Sequence, residues 1–181
     1  MNPDGAQFCV SCGSPIQDPD LVATPPRLNS TMHDFEDGNG SVPAHRHING
    51  GGWVAETAFA ADSTFIFATA AVFGNAQILD GASVVGTARV FGGAKVSGYA
   101  RITGNAEVSG RAQIRGRAEV GEDAWVTDET EIFGFARVGE SAQVTDRVVI
   151  SGNAQVYGNP LLADDQVISD NEIIYGADQL G

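Results

Sequence analysis

From Gly50 onward apolar and polar positions recur with a period of six, and no insertion breaks the pattern. Residues 50–181 form 22 such hexads. The fifth position is Val, Ile or Leu in 21 of them, with Ala60 the exception, and the third is Ala in 14. The first is Gly in 12 and Asp or Glu in 9. Positions 3 and 5 lie two apart, so in an extended segment they point to one side. They are small or β-branched, which suits a narrow interior. In the clearest run, from Gln77 to Glu119, position 4 between them reads Gln, Ser, Arg, Lys or Glu and faces water. Positions 6, 1 and 2 supply a corner, where Gly tolerates positive φ and Asp or Asn bonds the local backbone. A helix is excluded, because a 3.6-residue period cannot hold a six-residue pattern. A short strand and a corner in every unit predict a flat-sided solenoid, and three corners of about 120° would close a coil of 18 residues. Strands of successive coils would then pair in parallel.

The motif V-x-G-x-A-x, as in G-N-A-E-V-S followed by G-R-A-Q-I-R, resembles the hexapeptide-repeat superfamily of trimeric acyltransferase-like proteins. That resemblance covers residues 50–181. It implies an all-β fold, a left-handed parallel β-helix of about seven coils and triangular section. At a strand spacing of about 4.8 Å such a prism is roughly 35 Å long. The entry segment H-I-N-G-G-G-W-V-A-E-T-A is similar to the start of bacterial hexapeptide-repeat proteins with no settled activity. The two ends depart from the repeat. The outward positions of the first coil are Trp53, Phe59 and Phe65, so a cover is expected there. The third positions of the last hexads are Pro160, Gln166, Glu172 and Asp178, which suit a capping or fraying end.

Residues 1–49 lack the repeat. Segment 8–16, F-C-V-S-C-G-S-P-I, resembles one knuckle of a zinc ribbon, with Cys9 and Cys12 as the thiolate pair and residues 1–16 as its extent. Structural zinc takes four ligands and one knuckle supplies two. The site is then incomplete unless another chain, or His45 and His47, completes it. The alternatives are a vestigial hairpin with two free thiols or a redox pair. Residues 17–49 hold Pro19, Pro25, Pro26 and Pro43 among Gly, Asn, Ser and Asp, and read as a linker or irregular cap with little regular structure. Phe35 is the residue that would anchor it on the first coil, and a purely flexible tether is the alternative.

Composition narrows the function. The 181 residues carry 10 Lys and Arg against 23 Asp and Glu, a net charge of −13, which disfavours a nucleic-acid or anionic-membrane partner. The most apolar stretch, 59–73, is interrupted at Asp62–Thr64 and is too short to cross a bilayer. No basic and apolar leader is visible at Met1, so a cytoplasmic location is expected. Acyltransferases of the resembled superfamily place a His base between subunits, and its carbonic anhydrases hold zinc on three His of the coils. Residues 50–181 contain neither His nor Cys and no long inserted loop. No catalytic or cofactor-binding residue is therefore assigned. The reading is a non-catalytic scaffold or binding module for a protein or glycan. An acyltransferase-like enzyme working at a subunit interface is the alternative.

Residues 18 apart should stack. Arg89 then lies over Glu107, and Arg101 over Glu119 over Arg137. Tyr99, Arg117 and Phe135 form a ridge beside Arg115 and Phe133. Residues 86–120 hold six basic side chains against two acidic, and residues 121–181 hold two against twelve. For side-by-side assembly the outward patches are Phe73 and Phe91 at one corner and Phe67 and Val85 at another, with Tyr157 and Tyr175 further along it. Both are short for an interface of roughly 800 Å² per partner, so a monomer or weak homotrimer is expected.

Overall fold

A computed structural model describes residues 30–176. The chain is an all-β solenoid of about seven coils with three parallel sheets, preceded by antiparallel strands. Each described hexad contributes one short strand at its fourth and fifth positions, as in Gln77–Ile78 and Lys95–Val96. Pairing runs with a step of 18 residues: Val96 is level with Ile78 on one side and Ile114 on the other. Triangular closure thus follows from the repeat itself.

The interior holds what the pattern assigned to it. Ala94, Val96, Ala112 and Ile114 have no exposed surface, and Lys95 and Gln113 face solvent. On one face Ile78, Val96, Ile114, Ile132 and Ile150 form a continuous buried column. β-Branched side chains pack well on a pleated surface, and alanine opposite them keeps the prism thin.

The corners turn on one conformation. Every first position from Gly74 to Asp170 has positive φ, whether it is Gly or acidic: Gly86 is at 77°, Asp146 at 57°. A side chain in this left-handed region carries a steric penalty. The acidic residues offset it by reaching along the stack. Asp80 Oδ2 accepts the Gly98 N–H at 2.9 Å, and Asp146 Oδ2 accepts the Asp164 N–H at 3.1 Å. Glu122 accepts the Glu140 N–H in the same way. Gly or acid at position 1 is therefore a structural code. Gly86→Ala should destabilise by about 1–3 kcal/mol, because φ is +77° and its Cβ would stand 2.5 Å from the Gly104 carbonyl oxygen. Gly93→Ala, with no positive φ and nothing nearer than 3.4 Å, should be neutral or gain about 0.4–1 kcal/mol. Thermal melts of the two variants that coincide would refute the corner assignment.

The segment before the repeat is more ordered than its composition suggests. Strand β1 (Thr31–Asp34) pairs antiparallel with β2 (Ser41–Arg46), and β2 with β3 (Trp53–Ala55), which extends one sheet to nine strands. Glu36, Gly38 and Gly40, all at positive φ, make the connecting loop possible. Expectation and structure differ here because Pro43 does not prevent pairing: its carbonyl still accepts the Glu56 N–H at 2.9 Å. The hairpin closes the N-terminal end. The His47 N–H donates to Gly52 O at 2.8 Å, Gly52 N–H to Ile66 O at 2.8 Å, and Ile66 N–H to Asn49 O at 3.0 Å. At the other end Leu161–Leu162, Val167–Ile168 and Ile173–Gly176 are the outermost described strands of the three sheets. Gln166 and Glu172 are exposed there, as an open end requires.

Candidate functional site

Cys9 and Cys12, the expected metal ligands, lie outside the described residues, so the structure places only the histidines of that set. All three histidines belong to the cap. His47 is 2% exposed. One neutral tautomer satisfies both of its ring nitrogens: Nε2–H donates to Ala61 O at 3.1 Å, and Nδ1 accepts the Asn49 N–H at 3.2 Å. A metal needs a free nitrogen lone pair, and here that lone pair is occupied. His47 is thus a joint between the cap and the first coil.

His45 differs. It is 7% exposed, and its Nδ1 lies 2.8 Å from Glu56 Oε1, which also accepts from Ser30 Oγ at 2.7 Å. Its Nε2 is buried and has no hydrogen-bond partner among the described residues. A carboxylate behind one imidazole nitrogen fixes the tautomer and leaves the other nitrogen as a base or ligand. Sequence spacing pairs His45 with His47; the structure gives them separate tasks. Among the described residues no three His, Cys, Asp or Glu side chains converge as a metal site.

His33 stacks on Trp53 with ring centroids 4.0 Å apart, and Arg46 covers the same indole at 3.9 Å. Burial, and then the Arg46 charge, hold the His33 pKa below its ordinary 6.5. The folded state thus favours the neutral ring more than the unfolded chain does. Stability from this group is full above about pH 6.5 and declines as the pH falls below it. Cap opening, followed by exchange of the Thr31–Asp34 amides, should rise on acidification, and His33→Phe should weaken that dependence.

Outside the cap, Phe35 is 5% exposed and stacks on Phe73 at 4.8 Å, which stacks on Phe91 at 4.9 Å. Arg89 donates to Phe35 O at 2.6 Å and lies 5.1 Å from the Phe73 ring. The Phe73–Phe91 stripe expected to serve assembly is therefore the seat of the cap: Phe73 is only 4% exposed because Phe35 covers it. Of the first-coil aromatics, Trp53 is covered by His33 and Arg46, whereas Phe59 and Phe65 remain 50% and 44% exposed.

The charge ladders fall in the expected register. Arg89 meets Glu107 at 3.6 Å and Arg137 meets Glu119 at 4.0 Å; Arg101 is level with Glu119 but forms no ion pair among the described residues. Such pairs are exposed and worth ~0–1 kcal/mol each. At the ridge, Arg115 lies 4.2 Å over Phe133 and Arg117 5.8 Å over Phe135. The opposite character appears on the edge lined by Asp128, Asp146 and Asp164, where Arg111 pairs with Glu129 and Arg147 with Asp165. These carboxylates serve corners and ladders already described.

Compared with known proteins, the chain matches no family model, no curated protein and no solved structure. Among the described residues no helix is long and apolar enough to cross a membrane.

Proposed function

We propose that the chain is a non-catalytic β-solenoid that presents a rigid prism surface to a protein or glycan partner. The observation that supports this reading is the use of the histidines. His47 is bonded at both ring nitrogens and His33 is stacked in the cap. The free nitrogen of His45 is buried, whereas a general base must reach its substrate within hydrogen-bond distance. The hexapeptide motif adds a likeness in pattern to the left-handed superfamily. The test is incubation with acetyl-CoA and a panel of amine and hydroxyl acceptors, with release of the free CoA thiol as readout. No release is expected. Thiol release that disappears in His45→Ala would overturn the proposal and establish an acyltransferase-like enzyme.

We further propose that zinc bound by Cys9 and Cys12 is completed within the chain, if at all, by His45 and not His47. Two thiolates and one imidazole leave a tetrahedral site short of a ligand, so the purified monomer should hold zinc weakly. By elemental analysis Cys9→Ser and Cys12→Ser should remove zinc without lowering the solenoid melting temperature, and His45→Ala should reduce zinc. His47→Ala should lower the melting temperature alone. Tight one-to-one zinc in a monomer that survives His45→Ala would refute this.

A further inference from the structure

The sixth position of each hexad faces outward at a corner, and among the described residues it is glycine only at Gly121 and Gly139. These two are successive residues on one prism edge, where the other coils place Thr103 and Val85 on one side and Tyr157 and Tyr175 on the other. Neither glycine has positive φ, so the backbone does not demand it. What their absence of a side chain leaves is a notch of about 200 Å³, walled by Thr103, Glu119, Glu122, Arg137 and Tyr157. The Tyr157 ring leans over Gly139, whose Cβ would come within 3.2 Å of it, and a Cβ on Gly121 would stand 2.6 Å from Thr103 Oγ1. An aromatic ring, a hydroxyl, two carboxylates and a guanidinium therefore converge on one small concavity. The pair Glu119–Arg137 is separated by 4.0 Å, loose enough for each to accept another partner.

We propose that this notch binds one neutral pyranose ring, either as a free sugar or as a residue of a glycan chain lying along the prism edge. The inference rests on the binding-module reading and gives it a site. The chemistry selects the ligand class. Two carboxylates oppose an anion, and the guanidinium beside Glu119 opposes a simple cation. The polar walls oppose a purely apolar group. A sugar ring suits all of them: its hydroxyls donate to Glu119 and Glu122 and accept from Arg137 and Thr103, while its C–H face lies on Tyr157. Carboxylate and guanidinium hydrogen bonds are the stronger, charge-assisted kind. The aromatic ring supplies apolar contact with a polar rim, the usual make-up of a small-molecule site.

The test is amide and aromatic-ring NMR of the full chain titrated with the methyl glycosides of glucose, galactose and mannose, and with cellohexaose and mannohexaose. The expected result is shifts centred on Gly121, Gly139 and Tyr157, weak for the glycosides and at least tenfold tighter for a hexamer if a chain is the natural ligand. Equal affinity per ring would assign a free sugar. Tyr157→Ala and Gly121→Leu should each weaken binding at least tenfold, with Tyr175→Ala, one coil further along the edge, unchanged. Gly121→Leu fills the notch but must displace the Thr103 hydroxyl, so Tyr157→Ala, which adds no atom, is the variant whose retained melting temperature separates loss of binding from loss of fold. No shifts at these residues from any of the five sugars would overturn the site, as would binding untouched by Tyr157→Ala and Gly121→Leu. Shifts confined to the arginine ridge, with no response at the notch, would also overturn it while leaving the binding-module reading intact. CoA release in the assay above would remove that reading instead.

Discussion

Ile114→Asp is expected to unfold the chain, whereas Gln113→Asp, one residue earlier, is expected to be nearly silent. Ile114 has no exposed surface and stands in the buried column between Val96 and Ile132. Its replacement removes an aliphatic group, worth ~2–5 kcal/mol in a core, and buries a carboxylate with nothing to neutralise it, which adds several kcal/mol more. Domains of ordinary stability hold only about 5–15 kcal/mol in reserve. The position magnifies the loss, because each coil of a solenoid is stabilised by its neighbours and a broken middle coil leaves two short stacks. Gln113 faces water and lies level with Lys95 and Glu131, so an added carboxylate meets one attractive and one repulsive neighbour. Surface changes of that kind stay within about ±0.5 kcal/mol. Circular dichroism melts read both outcomes, and similar behaviour of the two variants would mean that the inward and outward assignment is inverted.

The solenoid was legible because each residue type in the hexad has a local physical cause. Inward positions need small or β-branched groups, and corners need positive φ. A gapless period then carries the pairing register through every coil. The acidic residues at position 1 were legible as corner formers, but their bond to the amide one coil further on depends on the 18-residue stack and is seen only in three dimensions. The cap was less legible. Phe35 packs against Phe73, 38 residues later in a segment with a different pattern, and no periodicity links them. For the same reason Phe73 was readable as outward-pointing but not as covered. The histidines had been grouped by spacing alone; Glu56 and the carbonyl of Ala61, which give His45 and His47 different roles, come from the first coil. The notch had a signal in the sequence: glycine at the sixth position twice, 18 residues apart. Glycine-rich corners elsewhere masked it, since there the residue answers a backbone demand that Gly121 and Gly139 do not share.

Replacing Phe73 and Phe91 together with arginine should detach the cap and leave the solenoid folded. The pair carries the outer cluster that holds Phe35, and Phe73 is as buried as a core residue. Losing a buried phenylalanine costs ~3–5 kcal/mol. The new guanidinium groups would also crowd Arg89, which fixes the loop through Phe35 O and lies over both rings. The loss is confined, because these side chains project away from the interior column: Val72 and Val90, their inward neighbours, stay buried on the opposite side of the strand. Amide exchange should therefore accelerate at Thr31–Asp34 and at Ser41–Arg46, with Val108 and Ile114 unaffected. A second, lower-temperature transition should appear in the melt. Trp53, released from His33, should shift its emission to the red, and Phe35→Ala should reproduce a weaker form of every change. Had the Phe73–Phe91 stripe served assembly, the double variant would instead lower the sedimenting mass while protection of the Thr31–Asp34 amides persisted; that outcome would return the stripe to an intersubunit contact and require a different anchor for the cap.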